Sequence, residues 1–568
     1  MNEHRNLILA VVLSAIVLIG WTFVAERWFP TANPPATKTV DGKQVPLPKP
    51  QADPAADTVA AVVQRQAALA AAPRVAIDTP RLKGSLSLRG AMIDDLVLTT
   101  HRQSIVPNSP PIRLLSPIGK PESYFATFGW SGDAAGALPT ADTVWAASGT
   151  RLSPGSPVRL SWDNGRGQTF EILLGVDDGY MFTVDQRITN RSGGAFAARP
   201  YASVSRARSS HDPDSWTMHV GPVGVFNGAA DYDWGYDDLA AGNRQAFGTT
   251  GGWIGFTDKY WLTALVPDQR TAVDAGFRKF SSGAYQADFL AQPTVVTPGA
   301  ASASRTHFFA GAKEIQLLDR YTAELGTPLE RAIDWGYFRW FMIGIYSLLN
   351  WLYAHIGNFG LAIICLTIIV RTLMFPIAQK QFKSMAGMRV IQPKMKVLQE
   401  RYKDDKPRLQ QEMLKLYQEE KVNPMAGCLP ILIQIPIFYA LYKVLMLAVE
   451  MRHKPFVLWI EDLSAPDPLT PVNLFGYLHF QPPHFLALGV LPILLGITMW
   501  LQFKLNPPPA DPVQKQVFGL MPWVLMFVMA PFAAGLQLYW TVNNILTILQ
   551  QKWLYSRHPG MRAATEAA

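Results

Sequence analysis

At 568 residues the chain is too long for one compact core, so two or more domains are expected. Its two cysteines, Cys365 and Cys428, exclude a disulfide framework and argue against a structural zinc cluster. The net charge of +8 is modest, and its placement along the chain says more than its size.

The apolar residues concentrate at the extreme N-terminus and after Trp335. Leu7 to Val24 is uncharged and longer than the core of a cleaved secretory signal, and Phe23 and Val24 spoil a small-x-small site. Residues 1–29 therefore read as a retained signal-anchor span. Residues 30–73 are rich in Pro, Ala and polar residues without periodicity, the composition of a disordered tether. Residues 74–318 then change to short alternating runs broken by Gly, Pro, Asn and Asp, such as Ser85 to Leu88 and Tyr180 to Asp185. This spacing predicts an all-β sandwich domain.

Residues 319–357 connect that domain to the apolar half. Their part from Trp335 mixes aromatic and aliphatic residues with Arg339, Asn350 and His355, as an amphipathic helix lying in the membrane interface does. Residues 358–377 read as a second span charged only at Arg371, 423–447 as a third with Lys443 near one end, and 485–503 as a fourth without charge. Each is close to the roughly 20 residues a bilayer-crossing helix needs. Val517 to Leu549 is uncharged and too long for one span, and Pro531 to Gly535 offers a turn. Two rather short spans follow, 517–534 and 535–551.

Orientation follows from the basic residues of the short loops. Gln379 to Lys421 holds 11 Lys or Arg against 6 Asp or Glu, whereas the loop 448–484 holds only Arg452 and Lys454. Lys504, Lys515, Lys552 and Arg557 fall on the side of the basic segment, which is the cytoplasm. Six spans then place both termini, the loop 504–516 and the tail 552–568 in the cytoplasm, and the β domain outside. Within the basic segment 378–422, Met388, Ile391, Met395 and Leu398, then Leu409, Met413 and Leu416, recur at helical spacing around a turn at Asp404 to Pro407. A two-helix hairpin is expected.

Arg371 is the most informative residue. A charge in the hydrocarbon costs roughly 2.5–3.5 kcal/mol on insertion scales and usually faces a cavity or partner. Alone it reads equally as snorkelling toward the nearby cytoplasmic end. Its neighbours favour a groove. Thr367 lies one turn earlier on the same face; Gln537, Thr541 and Asn544 form a stripe at i, i+4 and i+7; and Gln434, Phe438 and Tyr442 share a face of the third span. Polar stripes also serve as interhelical glue, but no acidic residue lies inside any span to pair with Arg371. A phosphate-loop motif and an H-E-x-x-H motif are both absent, so no catalytic group, metal or cofactor is expected.

Asn423 to Tyr442 (NPMAGCLPILIQIPIFYALY), Ser384 to Met395 (SMAGMRVIQPKM), Ile368 to Pro376 (IIVRTLMFP) and Pro455 to Pro468 (PFVLWIEDLSAPDP) closely resemble the YidC-type membrane protein insertases of Gram-negative bacteria. The resemblance implies a polytopic α-helical membrane protein with a five-helix insertase core in the inner membrane and a periplasmic all-β supersandwich domain. It implies a positively charged groove, open to the cytoplasm and lipid, to which Arg371, Thr367, Phe438 and, in the last span, Trp540 belong. Some relatives carry Tyr at the position of Trp540, which questions a phenol's role there. The implied partners are nascent membrane proteins, the phospholipid bilayer, the Sec translocon with its accessory subunits, and ribosomes or targeting factors at the cytoplasmic hairpin. The tail is short and only mildly basic, so ribosome contact would fall on that hairpin. Two rivals remain: a solute transporter, which would need a through-pore and internal repeats, and a tethered sugar-modifying enzyme, which would need a His and carboxylate in one cleft of the β domain.

Overall fold

The computed structural model describes residues 37–40, 43–46, 67–119, 121–132, 138–212, 218–403, 405–420, 429–476, 478, 488–505 and 512–557. The N-terminal span, most of the tether, the start of the third and fourth spans, and the C-terminal tail beyond residue 557 lie outside the described residues. Within the tether, Thr37–Val40 pairs antiparallel with Lys43–Pro46.

From Arg74 to Ala312 the chain builds two large sheets, almost entirely antiparallel, of nine and eleven strands among the described residues. Alternation makes many strands two-faced: Gln168–Val176 and Tyr285–Ala291 bury every second residue, whereas Gly221–Phe226 and Trp253–Thr257 are buried throughout. The buried faces meet each other. Phe128 of one sheet packs edge-on against Phe308 of the other at 6.0 Å, and Trp130 against Phe170 at 5.1 Å. The Tyr124 hydroxyl reaches Thr263 across the gap at 2.5 Å, and the Gln186 amide nitrogen donates to the Gly129 carbonyl at 2.7 Å, so hydrogen bonds as well as rings join the two sheets. The alternating runs thus form the sandwich that their spacing predicts.

Helix α1, Ile315–Leu325, follows directly from the last strand and packs Leu317, Leu318 and Tyr321 into the sandwich's edge. A 3-10 turn, Leu329–Ala332, leads to α2, Arg339–Ile356. One face of α2 buries Met342, Ile345, Tyr346, Leu349 and Leu352, while Trp340 and Trp351 stay exposed. Gly357, at φ 76°, ends it, a conformation glycine adopts without a Cβ clash. The Asn358 side chain then caps α3, Phe359–Leu373, by accepting from the Leu361 amide at 3.0 Å.

Helix α3 breaks at Met374, and α4, Phe375–Arg401, leaves it with a 57° bend between the two axes. Pro376 sits in the first turn of α4, where its missing N–H costs no hydrogen bond. Helix α5, Lys406–Glu419, returns along α4, capped by Asp405. Ile391, Met395 and Leu416 form the hairpin's own small core with Leu398, Met413 and Tyr417, as the periodicity predicts. Lys394 and Glu420 close its open end at 2.5 Å.

Helices α6 (Leu429–Leu447), α7 (Val490–Leu505), α8 (Pro512–Met529) and α9 (Ala534–Arg557) complete the chain. The turn between α8 and α9 falls at 530–533, where Pro531 interrupts the long apolar run. Helix α9 packs against α7 and α3, α8 against α7, and α6 against α2 and α9. Among the described residues no single helix is both long and apolar enough to cross a membrane. The 15 residues of α3 rise about 22 Å, against a hydrocarbon core of about 30 Å. Only the bent pair Phe359–Leu373 with Phe375–Phe382 meets the length and composition of a span; Gln434–Leu447, Val490–Leu505 and Lys515–Met529 are shorter apolar helices.

Candidate intramembrane site

Helix α9 carries polar residues on more than one face, and each face meets a different neighbour. Asn543 and Thr547, one turn apart, face α3. There the Arg371 guanidinium donates from Nε to the Asn543 side-chain oxygen at 2.7 Å and from a terminal nitrogen to the Asn543 carbonyl at 3.3 Å. A further bond runs from Arg371 to the Thr547 hydroxyl, which itself donates to the Asn543 carbonyl at 2.6 Å. All these acceptors are neutral. They orient Nε and one terminal nitrogen of the guanidinium without cancelling its charge, and no ion pair of Arg371 is found among the described residues. A positive charge therefore persists where the local dielectric is low.

The other residues singled out by the sequence are distributed around this pair. Thr367 is fully buried, and its hydroxyl donates back to the Ile363 carbonyl within its own helix at 2.7 Å. Gln537, equally buried, donates its amide to the Met529 and Phe532 carbonyls at 2.8 Å each, and so staples the turn between α8 and α9. Asn544 faces α7 and donates to the Thr498 hydroxyl at 3.2 Å. Thr541 is buried and its hydroxyl has no hydrogen-bond partner among the described residues. Gln434 and Phe438 of α6 do meet α9. The Gln434 amide donates to the Tyr539 hydroxyl, and the Phe438 ring stands edge-on to Trp540 at 4.8 Å.

The polar stripe of Gln537, Thr541 and Asn544 and the cation Arg371 are thus on different sides of α9. The residues that hold Arg371, Asn543 and Thr547, were missed by sequence reading. Their i, i+4 spacing was a signal, but polar residues at 541, 543, 544 and 547 cover more than one face, and only the packing of α9 selects between them.

Arg371 also lines an open cleft of about 630 Å³ at the α3–α4 bend. Ile368 and Thr372 of α3 form one wall; Leu546, Gln550 and Trp553 of α9 form the other. Phe375 lies across its end, its ring 6.0 Å from that of Trp553. The cleft combines a mostly apolar lining with one cation, so it suits a ligand that is itself amphipathic. Of the sequence-selected residues, Arg371 alone belongs to its lining.

At the β-domain end the helices are tied to the sandwich. Lys443 of α6 is buried and donates to the Asp334 carbonyl at 2.9 Å, with the Asp334 carboxylate 3.9 Å away. Glu450, three residues beyond α6, accepts from the Ile315 amide at the start of α1 at 2.8 Å and from the Tyr346 hydroxyl at 3.1 Å. An acid there complements the positive end of α1, and its burial raises its pKa above the usual carboxylate value. The adjacent Glu314 behaves oppositely. Burial pushes it up, but the nearby His101 ring and the bonds from Arg81 and Tyr180 outweigh that and hold it down at about 2. Arg81 grips both Glu314 oxygens, at 2.6 and 2.5 Å.

Two family descriptions match this chain: a 60Kd inner membrane protein family over residues 351–561 and the YidC periplasmic domain over residues 74–348. Membrane protein insertase YidC from Zymomonas mobilis is 47% identical over 561 residues, covering 98% of this chain and 96% of the relative. The protein of the same name from Methylobacterium nodulans is 43% identical, covering 98% and 96%. Among solved structures, an active YidC insertase with its first transmembrane domain resolved aligns over 87% of this chain and 97% of that one, at 17% identity and a TM-score of 0.36.

Proposed function

The chain belongs to the YidC family of membrane protein insertases, and on that premise we propose that it passes nascent segments into the lipid through a hydrated, positively charged groove centred on Arg371. It is an inner-membrane insertase, not an enzyme, with a periplasmic β-rich domain and a helical C-terminal region, and its substrates are nascent membrane proteins. The observation that carries the groove reading is the state of Arg371. It is oriented by neutral acceptors, keeps its charge, and borders an open cleft between α3 and α9.

An entering segment has an apolar stretch suited to lipid and a polar flank that resists crossing it. A water-filled groove reaching part-way shortens the apolar distance that flank travels. The charge of Arg371 attracts acidic or polar flanks while the apolar stretch partitions outward along the neighbouring helices. Partition into lipid and the membrane potential, worth about 2.3 kcal/mol per charge per 100 mV, supply the drive without ATP. Thr367, Gln434, Phe438, Gln537, Trp540, Thr541 and Asn544 shape and brace the helices around the groove.

The topology that goes with this reading has six spans, both termini in the cytoplasm and a five-helix core following the anchor at residues 1–29. The α4–α5 hairpin receives substrate, ribosomes or targeting factors at the cytoplasmic surface, and the Sec translocon shares part of the substrate load. The 57° bend at Met374 supports this arrangement, because it turns the chain from the α3 direction into the hairpin beside the cleft.

The direct experiment replaces Arg371 with Ala, Glu or Lys and measures insertion of a small single-span substrate in proteoliposomes without ATP. Loss in the Ala and Glu variants, with Lys retaining part of the activity, is expected. Wild-type insertion by Arg371→Ala and Arg371→Glu would eliminate the electrostatic reading.

A further inference from the structure

Away from the Arg371 cleft, a second open cleft of about 550 Å³ lies where the chain segment after α6 meets the β domain. Arg452 builds it. Its guanidinium donates to the Arg102 carbonyl at 2.7 Å and the Gln103 carbonyl at 3.1 Å, and rests over the Trp261 and Tyr260 rings at 5.6 and 5.8 Å. This pins the loop between strands Met92–Arg102 and Pro111–Leu115 over the segment 452–455.

Among the described residues the lining has three permanent cations, Arg102, Arg452 and Lys454, against one carboxylate, Glu461. His453 is matched by Asp462 at 3.9 Å and adds nothing to that excess. Ser104 and Asn108 supply hydrogen-bonding groups on the wall. The same loop, however, turns Ile105 and Val106 outward, 46% and 63% exposed. A cationic, hydroxyl-lined floor with an aliphatic rim fits an amphiphile with an anionic head.

The position of the cleft supplies the amphiphile. Arg452 lies five residues beyond the end of α6, so at most about 17 Å of extended chain separates them. Headgroup layers add roughly 5–8 Å on each side of the hydrocarbon. Lys454 sits over the Tyr353 ring of α2 at 5.7 Å, and Trp351 of α2 is exposed beside it in sequence. Aromatic residues of this kind settle at headgroup level. Val457 and Leu458, on the same segment, are also exposed.

We infer that this cleft binds the phosphodiester headgroup of an anionic phospholipid from the periplasmic leaflet, with Arg102, Arg452 and Lys454 holding the phosphate and Ile105 and Val106 meeting the acyl chains. The bound lipid then fills the seam between the periplasmic domain and the membrane helices, and this occupancy is independent of how substrates use Arg371.

The test is native mass spectrometry of the full chain in detergent, titrated with dioleoyl-phosphatidylglycerol, dioleoyl-phosphatidylcholine or glycerol 3-phosphate. Wild type should retain phosphatidylglycerol over phosphatidylcholine. Arg102→Gln with Lys454→Gln should weaken phosphatidylglycerol about 25-fold, about fivefold for each basic group removed at a membrane surface. Where that double variant does not melt cooperatively, Lys454→Gln alone reads the fivefold effect. Ile105→Ser with Val106→Ser should weaken the lipid and leave glycerol 3-phosphate unchanged. Equal retention of the two lipids by wild type, or an unchanged phosphatidylglycerol affinity in a folded charge variant, overturns the proposal. Glycerol 3-phosphate binding as tightly as the lipid reassigns the cleft to soluble phosphate esters and overturns it too.

Discussion

Replacing Asn543 with Ala separates two roles that Arg371 could combine, a structural clamp between α3 and α9 and a charge that acts on substrate. The substitution removes the 2.7 Å bond from Nε and leaves both the Asn543 carbonyl and Thr547 as acceptors. Hydrogen bonds to charged groups contribute about 1.5–3 kcal/mol in water-soluble proteins. Interhelical bonds in membranes average about 0.6 and reach about 1.7 kcal/mol. A loss of about 1–2 kcal/mol of helix-packing stability is therefore expected. The charge itself is untouched. A substrate carboxylate about 6 Å from the guanidinium gains about 3 kcal/mol at an effective dielectric of 20, before desolvation is subtracted. Loss of that attraction in Arg371→Ala corresponds to at most about a hundredfold in occupancy, whereas Asn543→Ala should hold insertion within about threefold of wild type. The assay is insertion of a single-span substrate with an acidic flank into proteoliposomes, with unfolding in denaturing detergent measured on the same samples. If folded Asn543→Ala protein loses insertion as completely as Arg371→Ala, orientation and not charge is the working property of Arg371.

Three other outcomes follow from the seam between the sandwich and the helices. Glu450 has a raised pKa, so its contribution is present below its unfolded value of about 4.5 and is lost as pH rises through the folded value; Glu314 has a lowered one, so its contribution is present above 4.5 and is lost as pH falls toward about 2. Thermal unfolding across pH should therefore find Glu450→Gln gaining on wild type as pH rises and Glu314→Gln losing to it, and slopes of the same sign in both variants would contradict the assignment. Gly360→Ala places a Cβ against the Phe456 ring, so it should destabilise by about 1–3 kcal/mol, read as a lower melting midpoint, and an unchanged midpoint would mean the segment around Phe456 yields freely. Deletion of residues 74–312 should leave an insertase that folds and inserts, whereas extending it through residue 338 removes Ile315 and Asp334, the partners of Glu450 and Lys443. The longer deletion should cost about 3–5 kcal/mol for each buried charge left unpaired, and equal yields of folded protein from the two deletions would count against a tie at this seam.

Much of the architecture was legible because it depends on local chemistry. Alternation of apolar residues dictates two-faced strands whatever they pack against, and Tyr285–Ala291 needs no further information to become one. The hairpin of α4 and α5 follows from its helical period and its turn residues, and the break before Ala534 follows from Pro531. Cation placement carries the proposed assignment of segments to the two sides, because charge is costly to carry across lipid whatever the fold. The rotation of α9 about its axis was not legible. Polar residues at 537, 541, 543, 544 and 547 cannot all face one neighbour, and the choice comes from how α9 packs between α7, α3 and α6. That packing gave Arg371 its neutral acceptors and turned Gln537 into a staple for a helix end. The seam held by Glu450, Lys443 and Arg452 was equally hidden, since its bonds join residues 104 to 350 positions apart, and no local pattern encodes a contact at that range.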